Sequence, residues 1–332
     1  MSLLRLVLAN HSSYPRVGDG STAQRLRRAY ANRETGKIDE NEFETIARDY
    51  VAEVVKEQSD AGLDLVTDGL VYWYDLLAHP ARRLDNITIN GLVRFFDTNT
   101  YVRQPEVNGK IGGTFGIADD FKKAKSQTTK ELKAVIPGPY TLARHSISKS
   151  NGDLSSMAMA YAEALGRELE ALNAAGATVV QIEEPSLLKV PDDAEMVRNV
   201  LKRAVASKGN LTISLATYFG DATTIYGELI NMPCDMLAVD VIYGPGLFET
   251  IVQHGSDRPI ALGAIDARNT KLDDTKDVAA KVGRLVDALD AKGVSEVHLQ
   301  PSNGLEFLPR DRAKRKLERL AEIRDAVAKA GA

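Results

Sequence analysis

The chain has 332 residues, 44% of them apolar, and a formal net charge of -4. That length and apolar share suffice for a large buried core, either as two domains or as one barrel-sized unit, and the mild charge gives no global reason to expect nucleic acid as a partner. A lone cysteine, Cys234, excludes an internal disulfide, and the apolar start MSLLRLVLA is too short for a membrane span and runs into NHSSYPR, which is no cleavage site; a cytoplasmic, soluble protein away from membranes is expected.

Short apolar runs then alternate with long helical patterns. The strand-like runs are LRLVLAN (4–10), LDLVTDG (63–69), LKAVIPG (132–138), TVVQIEE (178–184), LTISLAT (211–217), MLAVDVI (236–242), IALGAID (260–266) and EVHLQPS (296–302). Between them, residues 40–62, 154–177, 194–209, 275–293 and 310–331 repeat apolar side chains every three and four positions. Several of these stretches end in Gly after Lys or Ala, a helix stop. Strands alternating with helices in this way predict an α/β fold, a (β/α)8 TIM barrel spanning 1–332 as a single domain; a doubly wound open sheet is the alternative.

Two segments exceed a plain strand–helix unit. Residues 11–40 read as a polar, Arg-rich loop after the first strand. Residues 85–131 form a long insertion after the second, in which ITINGLVRFFDTNTYV alternates and carries Asn90-Gly91, a β-hairpin signal. Both follow strands, so both are expected on the C-terminal face, where barrels bind ligands. The stretch HSSYPRVGDG (11–20) does not suit a phosphate cradle: Gly18 and Gly20 flank the carboxylate of Asp19, Pro15 has no N–H, and no Lys-Ser/Thr pair follows.

His11, Asp68, Glu183, Glu184, Asp240, Asp266 and Asn303 each fall at or just past the end of a strand-like run. That rim is where barrels place their chemistry, although capping or strand-end hydrogen bonding is the ordinary role for any single one of them. Glu183 and Glu184 carry the stronger signal, because adjacent carboxylates repel unless a cation or amine is near. Tyr72, Trp73 and Tyr74 either stack on a flat ligand ring or pack at the mouth. His145 and His298 are isolated and read as structural.

SSYPRVG, the stretch from RLRRAYANRETGKIDENEFE to VYWYDLLAH, RFFDTNTYVRQPEV, IPGPYTLAR, VQIEEPSLL, LATYFGD, LGAIDARNTKLDD and LQPSNGLEFLP together resemble the cobalamin-independent methionine synthase family, in order from about residue 9 to residue 312. The resemblance implies a TIM barrel acting in methyl transfer from polyglutamylated 5-methyltetrahydrofolate to homocysteine or another thiol. Full-length members have two homologous barrels, and the C-terminal one binds zinc through a His-x-Cys, a Glu and the Cys of an Asp-Cys-Gly. This chain has Ser214-Leu215-Ala216-Thr217, Asp240 and Ser302-Asn303-Gly304 in those places, so the zinc site looks lost and no tightly bound cofactor is expected. YPRVG, VYWYD, FFDTNTY, TYFGD and GAIDARN are closer to the N-terminal-type barrel.

By the same resemblance Arg16 and Arg27, with Arg25 and Arg28 nearby, contact the polyglutamate tail, as guanidinium groups suit carboxylates. Ser13, His11, Asp68, Trp73, Tyr74, Asp75, Asn99, Tyr218, Arg268 and Asn303 complete the candidate ligand-binding set. Glu183, Glu184, Asp240 and Asp266 are the catalytic candidates. The acidic pair matches one that helps hold the homocysteine amino group, while the carboxylate that assists it is replaced by Leu70. Three functions follow: the folate-binding half of a split enzyme with a separate zinc-bearing barrel as partner, a stand-alone zinc-independent enzyme with another substrate, or a hydrolase or lyase using Asp68, Asp240 or Asp266 around another metal, for which hard oxygen ligands favour Mg²⁺.

Overall fold

The structure is a computed structural model and describes residues 4–16, 24–150 and 152–330. The Gly18-Asp19-Gly20 stretch lies outside the described residues. In chain order the elements are β1 (Arg5–Leu8), α1 (Arg25–Glu34), α2 (Glu40–Asp60), β2 (Leu65–Val66), α3 (Ala78–Ala81), β3 (Asp85–Arg94), β4 (Tyr101–Gly112), α4 (Ile117–Lys125), β5 (Glu131–Pro137), α5 (Pro139–His145) and β6 (Ile147–Ser148). There follow α6 (Leu154–Ala174), β7 (Val179–Glu183), α7 (Ala194–Val205), β8 (Thr212–Thr217), α8 (Tyr226–Leu229), β9 (Met236–Asp240), α9 (Leu247–His254), β10 (Ile260–Ile265), α10 (Thr275–Asp290), β11 (Glu296–Pro301) and α11 (Arg310–Ala330).

Eight strands form one sheet in the order β1-β11-β10-β9-β8-β7-β5-β2. Parallel bridges at Ala9–Leu65 and Ser13–Gly69 join the two ends of that list. Strand order therefore follows chain order around a barrel and never reverses, as it would in a doubly wound sheet; this is the TIM barrel the alternation predicts. By packing, the chain divides into two compact units, Met1–Tyr72 with Lys123–Leu132 and Phe248–Ala332, and Trp73–Lys122 with Lys133–Leu247. Each unit holds its own polar clusters.

The sequence accounts for most of these elements locally. β7, β9 and β10 are buried at every position, matching the unbroken apolar runs of parallel strands covered on both faces. Asp39, Asp153 and Asp274 cap α2, α6 and α10 by accepting from the N–H groups of Glu42, Ser156, and Lys276 with Asp277. The same helices stop on Gly62, Gly176 and Gly293, at φ of +87°, +81° and +77°. The next residue's N–H reaches back into the last turn, as in Leu63 to Gln58 O at 3.2 Å.

Two expectations need correction. The Arg-rich segment is not all loop, because residues 25–34 form α1, on which Leu26 and Ala29 are buried three residues apart while arginines surround them. Two buried side chains are too faint a periodic signal to stand out from that basic background. The hairpin is present, but it reverses at 95–100 and not at Asn90-Gly91: β3 and β4 pair antiparallel down to Arg94–Tyr101. Asn90-Gly91 instead makes a bulge within β3, where the register shifts between Asn90 and Leu92 and Gly91 takes φ +58°. β6 adds a third strand, parallel to β4, that two residues could not announce in sequence. No described helix is long and apolar enough to cross a membrane.

Candidate functional site

Glu183 and Glu184 end β7 and point to different work. Glu184 is fully buried and accepts from Tyr140 N–H at 2.9 Å, Thr141 N–H at 2.8 Å and the Thr141 hydroxyl at 2.7 Å, so it closes the N-terminus of α5. Gly138 makes room for it, since a Cβ there would stand 2.1 Å from Glu184 Cδ. Burial pushes the Glu184 carboxyl up to about 7, opposed by those hydrogen bonds. Both of its oxygens accept hydrogen bonds from the first turn of α5.

Glu183 is nearly buried and takes a different environment. Its Oε1 accepts from Gln181 Nε2 at 3.0 Å and its Oε2 from Tyr218 OH at 2.7 Å, while Lys133 Nζ donates to Gln181 Oε1 at 2.7 Å. As successive residues at the end of a strand, Glu183 and Glu184 face opposite sides. Lys133 and Gln181 are absent from the sequence-derived candidates. A lone Lys inside LKAVIPG, and Gln181 two residues before Glu183 on the same strand face, were the available signals.

The aromatic candidates of the second unit mostly pack. Trp73 is 1% exposed and stacks on His79, with ring centroids 5.4 Å apart, and His79 Nε2 meets Asp120 Oδ2 at 3.0 Å. Burial holds the His79 imidazole below its ordinary pKa. Tyr74 is half-buried, with the guanidinium groups of Arg82 and Arg103 at 4.9 and 5.5 Å from its ring. Asp75 is a brace: its Oδ1 accepts from Leu77 and Ala78 N–H and its Oδ2 from Arg103 N–H at 3.0 Å, which ties the start of α3 to β4. Asn99 is exposed in the hairpin turn, and Asp97 pairs with Lys189 at 3.1 Å. Phe95, Phe96, His145, Phe219 and Tyr218 form a ring cluster, in which Phe96 and Phe219 adopt φ of +52° and +63°. Bulky residues adopt that conformation only where their surroundings impose it. Burial and Arg144 push His145 down to about 4, so its imidazole is neutral at pH 7.

In the first unit, the ends of β1 and β11 bring hydroxyls and amides together. His11 Nδ1 lies 3.0 Å from Ser12 Oγ, and Leu305 N–H donates to Ser13 O at 3.1 Å. Asn303 Nδ2 donates to Ser302 Oγ at 3.1 Å. Ser13 Oγ and Asn303 Oδ1 are buried without a hydrogen-bond partner among the described residues. Gly304 is needed here, because a Cβ would fall 2.2 Å from Ser13 Oγ. Asp68 accepts from Leu70 N–H at 2.9 Å, holding the turn in which Gly69 and Leu70 have φ of +67° and +54°. Asp266 accepts from Arg268 N–H at 2.8 Å and from the Asn269 amide, and the buried Lys316 braces that loop through Asp273 at 3.1 Å. Of the arginines, Arg25 pairs with Glu53 at 2.9 Å; Arg16 is half-buried; Arg27 and Arg28 are exposed. Arg27 has no hydrogen bond or ion pair among the described residues.

A thiolate-type zinc site does not fit these residues. The three ligand positions offer hydroxyls on β8, an amide at Asn303 and the carboxylate of Asp240, whose Oδ1 already accepts from Ile242 and Tyr243 N–H. Such hard oxygen donors do not replace two thiolates and an imidazole. Among the described residues no group of three His, Cys, Asp or Glu is placed to hold a metal ion. Asp68, Asp240 and Asp266 each accept backbone N–H groups of their own turn.

Fold and site together define a TIM barrel with polar side chains at the C-terminal ends of its strands, where this fold binds ligands. The family profile described as cobalamin-independent synthase, catalytic domain, matches residues 13–326, and the chain belongs to the cobalamin-independent methionine synthase family. The profile is that of the catalytic domain, so the likeness to the N-terminal-type barrel rests on the quoted motifs alone. The chain is similar to proteins named methionine synthase from Sulfolobus acidocaldarius, 29% identical over 92% of this chain and 87% of that one, and from Saccharolobus solfataricus, 28% identical over 93% and 91%. Among solved structures it resembles a B12-independent methionine synthase from a Shewanella species in complex with selenomethionine, with TM-score 0.79 and 19% identity over 97% of this chain and 98% of that one. It also resembles a methyltransferase from Methanosarcina mazei, with TM-score 0.61 and 14% identity over 97% of this chain and 95% of that one. At those identities the likeness concerns the fold.

Proposed function

We propose that this chain serves methyl transfer in methionine synthesis as a cytoplasmic, folate-binding barrel, and that a separate zinc-bearing barrel activates the acceptor thiol. Family membership supports methyl transfer. The observation that carries the division of labour is the donor set at the three zinc positions, which has no thiolate and no imidazole. A free thiol is mostly protonated at neutral pH and attacks a methyl group poorly until a metal or base makes the thiolate. Arg16 and Arg27 grip the carboxylates of the polyglutamate tail, a role that suits Arg27, exposed and unpaired among the described residues. The test is methionine formation from 5-methyltetrahydrofolate and homocysteine by this chain, by a zinc-bearing catalytic barrel, and by their mixture, with size-exclusion chromatography of the mixture. Stimulation in the mixture and none with this chain alone is expected; robust turnover by this chain alone overturns the division.

A second reading, a stand-alone enzyme with a different substrate, is favoured by one fact. Relatives named methionine synthase match this chain over 87% to 91% of their own length, so single barrels of this size carry that name. Absence of both complex and stimulation in the same assay selects this reading.

A further inference from the structure

Asn-Gly is the dipeptide in which a backbone nitrogen most easily reaches the preceding side chain, because glycine puts no Cβ in its way. The chain contains it four times, at 90–91, 108–109, 151–152 and 303–304. Asn151 lies outside the described residues, and the other three pairs stand in different surroundings.

At Asn90 the side chain is already folded onto the following nitrogen. Gly91 N–H donates to Asn90 Oδ1 at 2.8 Å, while Asn90 Nδ2 donates to Glu106 Oε1 at 3.1 Å on the neighbouring strand β4. A carboxylate only accepts, so Glu106 fixes the amide with its NH₂ toward β4 and its oxygen against Gly91. Gly91 is the extra residue of the bulge, left out of the register in which Asn90 faces Gln104 and Leu92 faces Arg103. A Cβ at Gly91 would have no atom within 4 Å, and both residues are exposed, so water reaches the pair.

The other two described pairs lack this arrangement. Asn303 is fully buried; its Nδ2 donates to Ser302 Oγ at 3.1 Å and its Oδ1 has no partner among the described residues. Asn108 is exposed, but its Nδ2 is shared between Thr88 Oγ1 at 3.0 Å and Glu106 O at 3.2 Å. Among the described residues it accepts nothing from Gly109 N–H.

We propose that Asn90-Gly91 is a site of self-modification, at which the folded chain converts Asn90 to aspartate and isoaspartate. Rotation about the Cβ–Cγ bond turns the face of the carboxamide carbon toward the nitrogen that its oxygen already holds. Once hydroxide takes the Gly91 N–H proton, that nitrogen attacks Asn90 Cγ. The new C–N bond closes a succinimide ring, and the side-chain nitrogen takes up a proton and leaves as ammonia. Water then opens the ring at either carbonyl, giving aspartate or isoaspartate; the net change is one water consumed and one ammonia released. The product opposes its surroundings. A donor to Glu106 becomes a second carboxylate, so two acceptors meet across β3 and β4, and isoaspartate also adds a backbone carbon to β3. β3 lies at the edge of its three-stranded sheet, and the modification loosens it from β4.

The test incubates the full native chain, and the same chain unfolded in guanidinium, at mildly alkaline pH. Mass spectrometry follows each Asn-Gly peptide for a gain of about one mass unit. Unfolded, the pairs are expected to react at similar rates. In the native chain Asn90 is expected to react about tenfold or more faster than Asn108 and Asn303, with isoaspartate among its products. Asn90 protected as strongly as Asn303, or matched by Asn108, overturns the site. The consequence is read separately, by hydrogen exchange across residues 85–94. Exchange is expected to be faster in Asn90→Asp than in wild type by about fivefold or more, and unchanged exchange overturns the loosening of β3.

Discussion

Single side chains show how far residue type constrains role. Arg25, Arg27 and Arg33 look alike in sequence, but Arg25 is held by Glu53 and by the Tyr50 ring, and Arg33 by Glu40 and the Phe43 ring, whereas Arg27 faces solvent. Arg27→Ala is therefore expected to weaken polyglutamylated folate by about tenfold or more in a titration at fixed low salt, and monoglutamyl folate much less. Equal losses for the two would return Arg27 to a solvated helix face. Lys133 gives a prediction in pH. Its folded pKa, about 7, lies below the ordinary 10.5, so the unfolded chain binds the extra proton between these values. The stability linked to Lys133 is present above pH 10.5 and is lost as pH falls toward 7. Chemical denaturation of wild type and Lys133→Met at several pH values between 7 and 10 should show the variant gaining on the wild type as pH falls; a constant difference would mean that Lys133 keeps its ordinary pKa when folded.

At the scale of elements, short pieces depend on side chains from elsewhere in the chain. α5 has seven residues, too few to hold itself in water, and its first N–H groups are satisfied by Glu184 from the end of β7. Glu184→Ala leaves those donors buried and unpaired, and is expected to destabilise the protein by about 2–4 kcal/mol in denaturant titration. A loss well below 1 kcal/mol would show that water or another acceptor replaces the carboxylate. The same dependence explains why the sequence was silent on α5 and β6, whose stability comes from neighbours. Long helices announced themselves because caps and periodicity are local: Asp39, Asp153 and Asp274 start, and Gly62, Gly176 and Gly293 stop, helices whose ends agree with the pattern within a few residues. Asn90-Gly91 shows the limit of a local signal, since the dipeptide suits any position needing φ above zero and here serves a bulge.

For the whole molecule, the sheet order and the strand-end donors decide what chemistry the barrel supports. With hydroxyl, amide and carboxylate groups where thiolates and imidazole would bind zinc, purified protein dialysed against a chelator is expected to retain far less than one zinc per chain by elemental analysis. Retention near one per chain would overturn both the ligand reading and the need for a zinc-bearing partner. A partner that joins without a covalent linker lacks the effective concentration of tandem barrels, so the mixture assay should depend on protein concentration.

The choice of a barrel over an open sheet came from the strand order, but the alternation of eight apolar runs with amphipathic stretches was enough to indicate an α/β fold, because strand burial and helix periodicity are written residue by residue. The same holds for the family, whose motifs lie in order along the chain, and for the absent thiolates, which are a matter of composition. Only the tertiary structure separated Glu183 from Glu184, neighbours of identical chemistry, by turning one toward the backbone of α5 and the other toward Gln181 and Tyr218. It likewise spent Asp75 on backbone N–H groups, stacked Trp73 on His79 and joined Lys133 to Glu183 through Gln181. A carboxylate's role depends on which donors reach it, and Tyr140, Thr141 and Tyr218 reach Glu184 and Glu183 from 35 to 44 positions away, a separation that no local pattern encodes.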